Sequence, residues 1–492
     1  MIMQVARLGR TRMLVGILRH ATMRAGLTLA AISAALLLLS TALSPSLHAE
    51  TPANPADLSP LIRIDEALRG IVLGQDGLAL RRVEGAHVGT GETSVRTDAV
   101  GRFHIPAGIR TNQLNVVAPG YEVVRSVTTA AYAVVFMCPL DVRAIYLPYD
   151  ELRSESVIDW VLGLARAGTI TSLVVDVKDE HGSVLPLAAT DQVRDMNAVR
   201  ATGTDVEGFL EQLGDLGIYR IARVVTFLDG RYAFAFPTDA HRGNDGAIFR
   251  DSLGLAWSNA FAEGARRHNI EIGVQAARWF EEIQYDYVRF PTDSGVVARN
   301  NASEQSRSAA ITGFARDAAA ALHAVGAAVS IDTFGQTTVI PGDGGIGQIL
   351  EDLAPHVDYY SPMVYPSTWT TGWFGLSYPP SDPFTVVKSS IELAVARVKP
   401  FGNIQVRPWL QDFHDYQEQK LFYGIDRVRA QIEASIQAGG AGFMLWDPSL
   451  AYQIDLLNSL DESAAFLVAR SASADQPLSF IRTIADGLVG QP

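Results

Sequence analysis

The chain has 492 residues, 48% of them hydrophobic, with a formal net charge of −13 and a pI near 5.3. That length predicts more than one core, and the acidic balance excludes a nucleic-acid partner, since no basic stripe is available to neutralise phosphates. The single cysteine, Cys138, excludes an intramolecular disulfide and a cysteine-rich metal site, and reads as a buried structural thiol.

Arg7, Arg10, Arg12, Arg19 and Arg24 precede the apolar run LTLAAISAALLLLSTAL (27–43), and SPSLHA supplies a cleavage site after Ala49. Residues 1–49 therefore read as an export signal, which predicts a periplasmic or secreted protein. The alternative is an uncleaved anchor, because the run nearly spans a bilayer; Met13 and Met23 are alternative starts. With no cysteine at the cleavage site a lipoprotein is excluded, and no later segment reads as a membrane span. Residues 50–61, polar and proline-rich, form a linker.

Residues 62–140 read as all-β: short strands broken by turn residues, as in RGIVLGQDG, GAHVGTG, SVRTDAVGRFHI and NQLNVVAPGYEVV, predict a small sandwich. Gly70, Val72, Asp76-Gly77, Ala86, Val88, Thr97-Asp98 with Gly101-Arg102-Phe103, and Ala118-Pro119-Gly120-Tyr121 give this segment a pattern that resembles the carboxypeptidase regulatory-like (transthyretin-like) domain. The resemblance implies an accessory, non-catalytic module in which His87 and His104 are ordinary sandwich residues.

From 142 to 455 eight apolar segments end in polar or aromatic clusters: RAIYLPYD (143–150), SLVVDVKDE (172–180), IARVVTFLD (221–229), EIQYDYVRF (282–290), AVSIDTFG (328–335), VDYYSPMVYPS (357–367), IQVRPWLQD (404–412) and GFMLWDP (442–448). Helix-like stretches such as 205–217, 259–280, 306–326 and 423–440 separate them. The alternation predicts an α/β fold, a (β/α)8 TIM barrel behind the small N-terminal β-sandwich. Two long aromatic-rich loops, 229–258 and 366–385, follow the third and sixth segments and read either as a sugar-stacking rim or as packing. Residues 456–492 form a C-terminal tail.

Chemistry in a barrel of this kind sits at the C-terminal ends of the strands. Asp176, Asp286, Asp332, Asp358, Asp412 and Asp447 are expected there, and a mouth ringed by carboxylates and aromatics points to a carbohydrate polymer. In IQYDYVRFP, alternation turns Gln284 and Asp286 to the barrel axis and Tyr285 and Tyr287 to the helices. Asp286 thus stands at the exit, with Arg289 placed to hold it ionised. Asp332 ends the next strand at the same height, so Asp286 and Asp332 are the candidate catalytic pair for glycoside hydrolysis, which needs two carboxyl groups across one bond. Asp176 and Lys178, beside Asp179 and Glu180, position substrate, supply an alternative acid, or form a salt-bridged strand end. Arg289, Tyr365, Arg407, Trp409, Gln411, Trp446 and Asp447 complete the candidate substrate-binding set, with Tyr360, Ser361 and Met363 near them.

The pieces VVDVKDEHG, GLAWSN, EIQYDYVRFPTD, SIDTFG, IGQILEDLAPHVDYYSPMVYPS and VRPWLQDF occur in this order across the barrel, which resembles the putative glycoside hydrolase domain family of bacterial secreted proteins. The resemblance implies a retaining-type barrel with Asp286 as nucleophile and leaves the acid open. A second reading is a binding or envelope scaffold that has lost activity. A metal-dependent deacetylase is disfavoured, because His181 and His414 are the histidines just past strand ends and lack ligand-like spacing. A phosphate-binding barrel is disfavoured too, because no glycine-rich loop follows the seventh or eighth segment. No cofactor and no metal are expected.

Overall fold

The computed structural model describes residues 62–63, 67–76, 79–111, 113–126 and 132–460. The predicted signal, the linker up to residue 61 and the tail beyond residue 460 lie outside them.

Eight parallel strands close into a barrel: β1 (Arg143–Leu147), β2 (Ser172–Lys178), β3 (Tyr219–Val225), β4 (Glu282–Asp286), β5 (Ala328–Phe334), β6 (Tyr359–Met363), β7 (in two pieces, Gln405–Val406 and Trp409–Gln411) and β8 (Phe443–Trp446). Each pairs with its sequence neighbours, and β8 pairs with β1 to complete the ring. The helices include α1 (Glu155–Arg166), α2 (Val206–Asp215), α3 (Glu263–Ala276), α4 (Glu304–Val325), α5 (Leu350–Leu353), α6 (Pro383–Val398), α7 (Ile425–Gln437) and α8 (Ile454–Ser459), with short helical turns at Asp191–Asp195, Gly230–Ala235 and Val297–Asn301 in the loops. Local chemistry sets their ends. The Asp205, Ser303 and Asp382 side chains accept the first free N–H groups of α2, α4 and α6. Gly326 closes α4 at φ 81°, a left-handed conformation that L side chains resist.

Alternation along the strands makes two cores. Leu173, Val175, Ile283 and Ile331 face outward and pack on the helices, while Tyr146, Val174, Tyr219, Ile221, Trp409 and Met444 fill the barrel axis. Low in the barrel Glu282 accepts hydrogen bonds from Arg407, from Ser330 Oγ at 2.6 Å and from Tyr219 OH at 3.1 Å. A buried charge stays tolerable when it is paired in this way. In α8, Leu456 and Leu457 are buried against the barrel.

The described strands before residue 140 form a two-stranded pair, Ile62–Arg63 with Arg110–Thr111, and two four-stranded sheets. In one, Leu68–Asp76 pairs antiparallel with Ala79–Arg82 and Arg102–Ile105, and parallel with Tyr132–Met137. The other runs Ser94–Arg96, His87–Gly89, Leu114–Val117, Val124–Ser126. Val72, Val88, Phe103, Ile105 and Val116 share a separate buried cluster. These strands meet the barrel at its floor, where Asn115 Nδ2 donates to Val325 O at 3.1 Å and Gly120 N to Tyr359 OH at 2.9 Å. Cys138 corrects the expectation of a buried thiol: it is exposed, one residue past the strand whose Met137 turns inward.

Candidate active site

A cavity of about 210 Å³ opens at the C-terminal ends of the barrel strands. Asp286 closes β4 and Asp332 lies in β5, and both line it. The ladder between the two strands runs from Glu282–Ala328 to Tyr285–Ile331, so the next residues, Asp286 and Asp332, stand side by side.

The two carboxyl groups sit in different surroundings. Arg223 donates to Asp286 Oδ2 through Nε at 3.0 Å and Nη2 at 2.7 Å, and the Tyr287 backbone N donates to Oδ1 at 2.6 Å. Among the described residues no cation contacts Asp332. It is 1% exposed and accepts a single side-chain bond, from Trp409 Nε1 at 2.7 Å. Burial first, and then the neighbouring Asp286, push its carboxyl well above the ordinary range. The pair is therefore split into one group held by arginine and one that burial pushes toward its neutral form.

Arg223 is the hub of the site. It lies on β3, 1% exposed, and also reaches Asp176 Oδ1 at 2.7 Å and Glu180 Oε1 at 3.0 Å. Its guanidinium lies over the rings of Trp446, 5.1 Å away, and Tyr146, 5.5 Å away. Burial opposes the charge on Glu180, but Arg223 holds this carboxyl below its usual value. Asp176, beneath the pocket wall, accepts from Tyr146 OH at 2.6 Å; burial lifts its pKa to about 6 against the pull of Arg223. The strand IARVVTF carries an arginine at an axis-facing position among apolar residues. That signal was available in the sequence, and it marks Arg223 rather than Arg289 as the partner of Asp286. No ion pair joins Arg289 to Asp286.

Asp286, Asp332, Arg289, Tyr365, Trp409 and Trp446 come together around the cavity, joined by Glu180, Arg223, Tyr287 and Met363. Tyr287, expected on the helix side, lines the cavity because its backbone takes φ 52° and breaks the alternation just past β4. Such a conformation is costly for an aromatic residue and is concentrated at functional sites.

Five of the expected substrate-binding residues do not line the cavity. Lys178 is fully buried behind the strand: the β2–β3 register shifts between Asp176 and Lys178, and this bulge sends the side chain to the helix layer. There its ammonium meets Asp229 Oδ2 at 2.7 Å, Val225 O at 2.7 Å and Asn269 Oδ1 of α3 at 2.8 Å. Gln411 spends its amide on Ser367 N, Ser367 Oγ and Phe413 O, anchoring the loops after β6 and β7. Arg407 is locked on Glu282 below the cavity. Asp447 accepts from Ser449 N and Oγ, and Asp176 is taken up by Arg223 and Tyr146.

Asp358 corrects a second expectation. It precedes β6 and so lies at the barrel floor, where its Oδ2 accepts from Val329 N at 2.8 Å and pairs with His323 Nε2 at 2.7 Å. With His87 these residues are the one group among the described residues whose donors gather closely enough for a metal, all within 4.8 Å. The His87 and His323 rings stack face to face at 3.5 Å, however, so their in-plane lone pairs do not converge on a common point.

Residues 144–452 match the family described as a putative glycosyl hydrolase domain. No curated protein matches the chain. Among solved structures, a hypothetical protein from Ruminiclostridium thermocellum is 27% identical over 35% of this chain and 90% of its own, with a TM-score of 0.32. The glycoside hydrolase domain of PgaB (BpsB) from Bordetella bronchiseptica is 12% identical over 68% of this chain and 100% of its own, with a TM-score of 0.46. An endo-β-1,4-mannanase from Thermotoga petrophila is 13% identical over 69% and 78%, with a TM-score of 0.45.

Proposed function

The chain belongs to the putative glycosyl hydrolase domain family, and from that premise we propose that it hydrolyses glycosidic bonds of an extracellular or cell-envelope polysaccharide. The observation that carries this reading is the pair Asp286 and Asp332: two carboxyl groups on adjacent strands, facing one aromatic-walled cavity, one held by arginine and the other pushed by burial toward its neutral form. This is the division of labour that glycoside hydrolysis requires.

In this mechanism Asp286 attacks the anomeric carbon while Asp332 gives its proton to the leaving oxygen. Water then enters, Asp332 takes its proton, and the glycosyl–Asp286 ester is cleaved. Neighbouring strands lie about 4.8 Å apart, which suits the separation of about 5–5.5 Å found in retaining enzymes rather than the wider gap that holds a water. Glu180 is less suited to the acid role, because Arg223 favours its charged form. Trp409, Trp446 and Tyr365 would supply the walls against which a sugar ring packs.

We also propose that residues 1–49 direct export and that residues 62–140 are an accessory module of the carboxypeptidase regulatory-like kind. The test of the main reading is release of reducing ends from a polysaccharide panel by the full chain. Cleavage of at least one polymer, lost in Asp286→Asn, is the expected result. Cleavage that survives Asp286→Asn would refute the mechanism. Proton NMR of the first product gives the stereochemistry, with retention expected.

A further inference from the structure

Arg289 sits in the wall of the cavity, three residues past Asp286. Three aromatic rings hold its guanidinium: Phe334 at 4.7 Å, Trp257 at 4.8 Å and Tyr287 at 4.9 Å from the ring centres. The cage is rigid. Trp257 is 2% exposed and its Nε1 donates to Asp251 Oδ2 at 3.0 Å, and Tyr287 is the residue held at φ 52°. Within this cage Arg289 makes one hydrogen bond, from Nη1 to Phe290 O at 3.1 Å. Among the described residues no carboxylate comes within ion-pair distance of it, whereas the nearby Arg223 meets three. Its Nε–H and Nη2–H have no acceptor among the described residues and are not sealed from solvent, and the side chain lines the cavity.

A partly buried cation that, among the described residues, no carboxylate meets at ion-pair distance is costly to keep. The cost is offset when a bound group supplies both the charge and the acceptors, and a planar guanidinium fork fits a carboxylate, sulfate or phosphate in two-point fashion. We propose that Arg289 is a specificity-determining residue that binds an anionic substituent of the sugar, so that the substrate is an acidic polysaccharide. The inference rests on the saccharide reading of the cavity. The chain is acidic overall, at −13, which disfavours indiscriminate polyanion adsorption to its surface. Retention by a charged polymer would thus report a local site.

The test measures binding apart from cleavage, with the full chain carrying Asp286→Asn, by affinity electrophoresis and titration calorimetry. Matched polymers separate the sources of charge: polygalacturonate against its fully methyl-esterified form, dextran sulfate against dextran, and phosphomannan against mannan. The expected result is that one charged member binds at least tenfold more tightly than its neutral mate. Adding Arg289→Gln should abolish that preference, and Arg289→Lys, which keeps the charge but loses the fork, should restore only part of it. Equal binding of charged and neutral mates, no binding to any charged polymer, or a preference untouched by Arg289→Gln in a folded protein would each overturn the inference. The two readings fail separately. If the wild type cleaves only neutral polymers, the anion site falls and the hydrolase stands. If a charged polymer binds through Arg289 and no polymer is cleaved, the hydrolase falls and the anion site stands.

Discussion

Replacing Arg223 by glutamine removes the one cation that faces three carboxylates. Arg223→Gln loses two bonds to Asp286, one to Asp176 and one to Glu180. Arg223 and Asp176 are buried, at 1% and 2% exposure, and Asp176 does not line the cavity, so water is a poor replacement for its lost partner. Removing one partner of a buried pair costs about 3–5 kcal/mol. Protonation limits that cost. Asp176 already takes up a proton near pH 6 with the arginine in place, and without it the folded-state pKa moves higher still. A carboxyl group whose folded pKa exceeds its unfolded value gives stability that is complete below the unfolded pKa and is lost as pH rises through the folded one. The wild type undergoes this loss at Asp176 between about pH 4 and 6, whereas the variant goes on losing stability above pH 6. At pH 7.5 the full cost of ~3 kcal/mol corresponds to a drop in melting temperature of roughly 4–5 °C, because the unfolding entropy of a barrel of about 310 residues allows only about 1.5 °C per kcal/mol, and the drop shrinks markedly at pH 5. Differential scanning fluorimetry of both proteins across pH 5–8 measures this gap. A gap under about 2 °C at pH 7.5, or one that widens toward pH 5, would refute the account of Arg223 as the charge hub.

Other outcomes follow from the same electrostatics. Burial, helped by Asp447, lifts Asp412 to a pKa of about 8, and its Oδ1 has no partner; the wild type loses stability as pH rises from about 4 through 8, so Asp412→Asn should raise the melting temperature by an amount that grows over that range, and a destabilised variant at pH 8 would contradict it. Asp332→Asn should cut turnover of aryl glycosides with poor leaving groups by about 10²–10⁴ and much less for activated ones; an equal loss for both would remove Asp332 from the acid role. Trp409→Phe deletes the bond that favours the charged form of Asp332, so the basic limb of the kcat/KM profile should move to higher pH, and a shift to lower pH would contradict the assignment.

The barrel was legible because buried parallel strands read as apolar runs with polar exits: SLVVDVK and AVSIDTF announce both the strand and its end. Asp286 and Asp332 followed from alternation and equal height. What the sequence hid was conformational. Nothing in VVDVKDE signals the bulge that sends Lys178 outward, and nothing in YDYVRF signals the left-handed turn at Tyr287 that brings its ring into the cavity. In HVDYYSPM the carboxylate stands before the strand rather than after it, so its place depended on where β6 begins. Gln411 and Arg407 look like mouth residues by position, yet loop anchoring and the buried pair with Glu282 consume them. Arg223 was readable as an axis-facing arginine within an apolar strand, but its three acidic partners come from β2, its exit and β4, and only the closed barrel brings them together.

The central claim is that Asp286 is the nucleophile. Its most direct test is to incubate the full chain with an activated 2-deoxy-2-fluoro glycoside of the sugar the wild type releases, digest the protein and map the modified peptide by mass spectrometry. The account predicts one glycosyl group, esterified to Asp286 and absent in Asp286→Asn. A label on Asp332 or Glu180, or active-site inactivation with Asp286 unmodified, would contradict it.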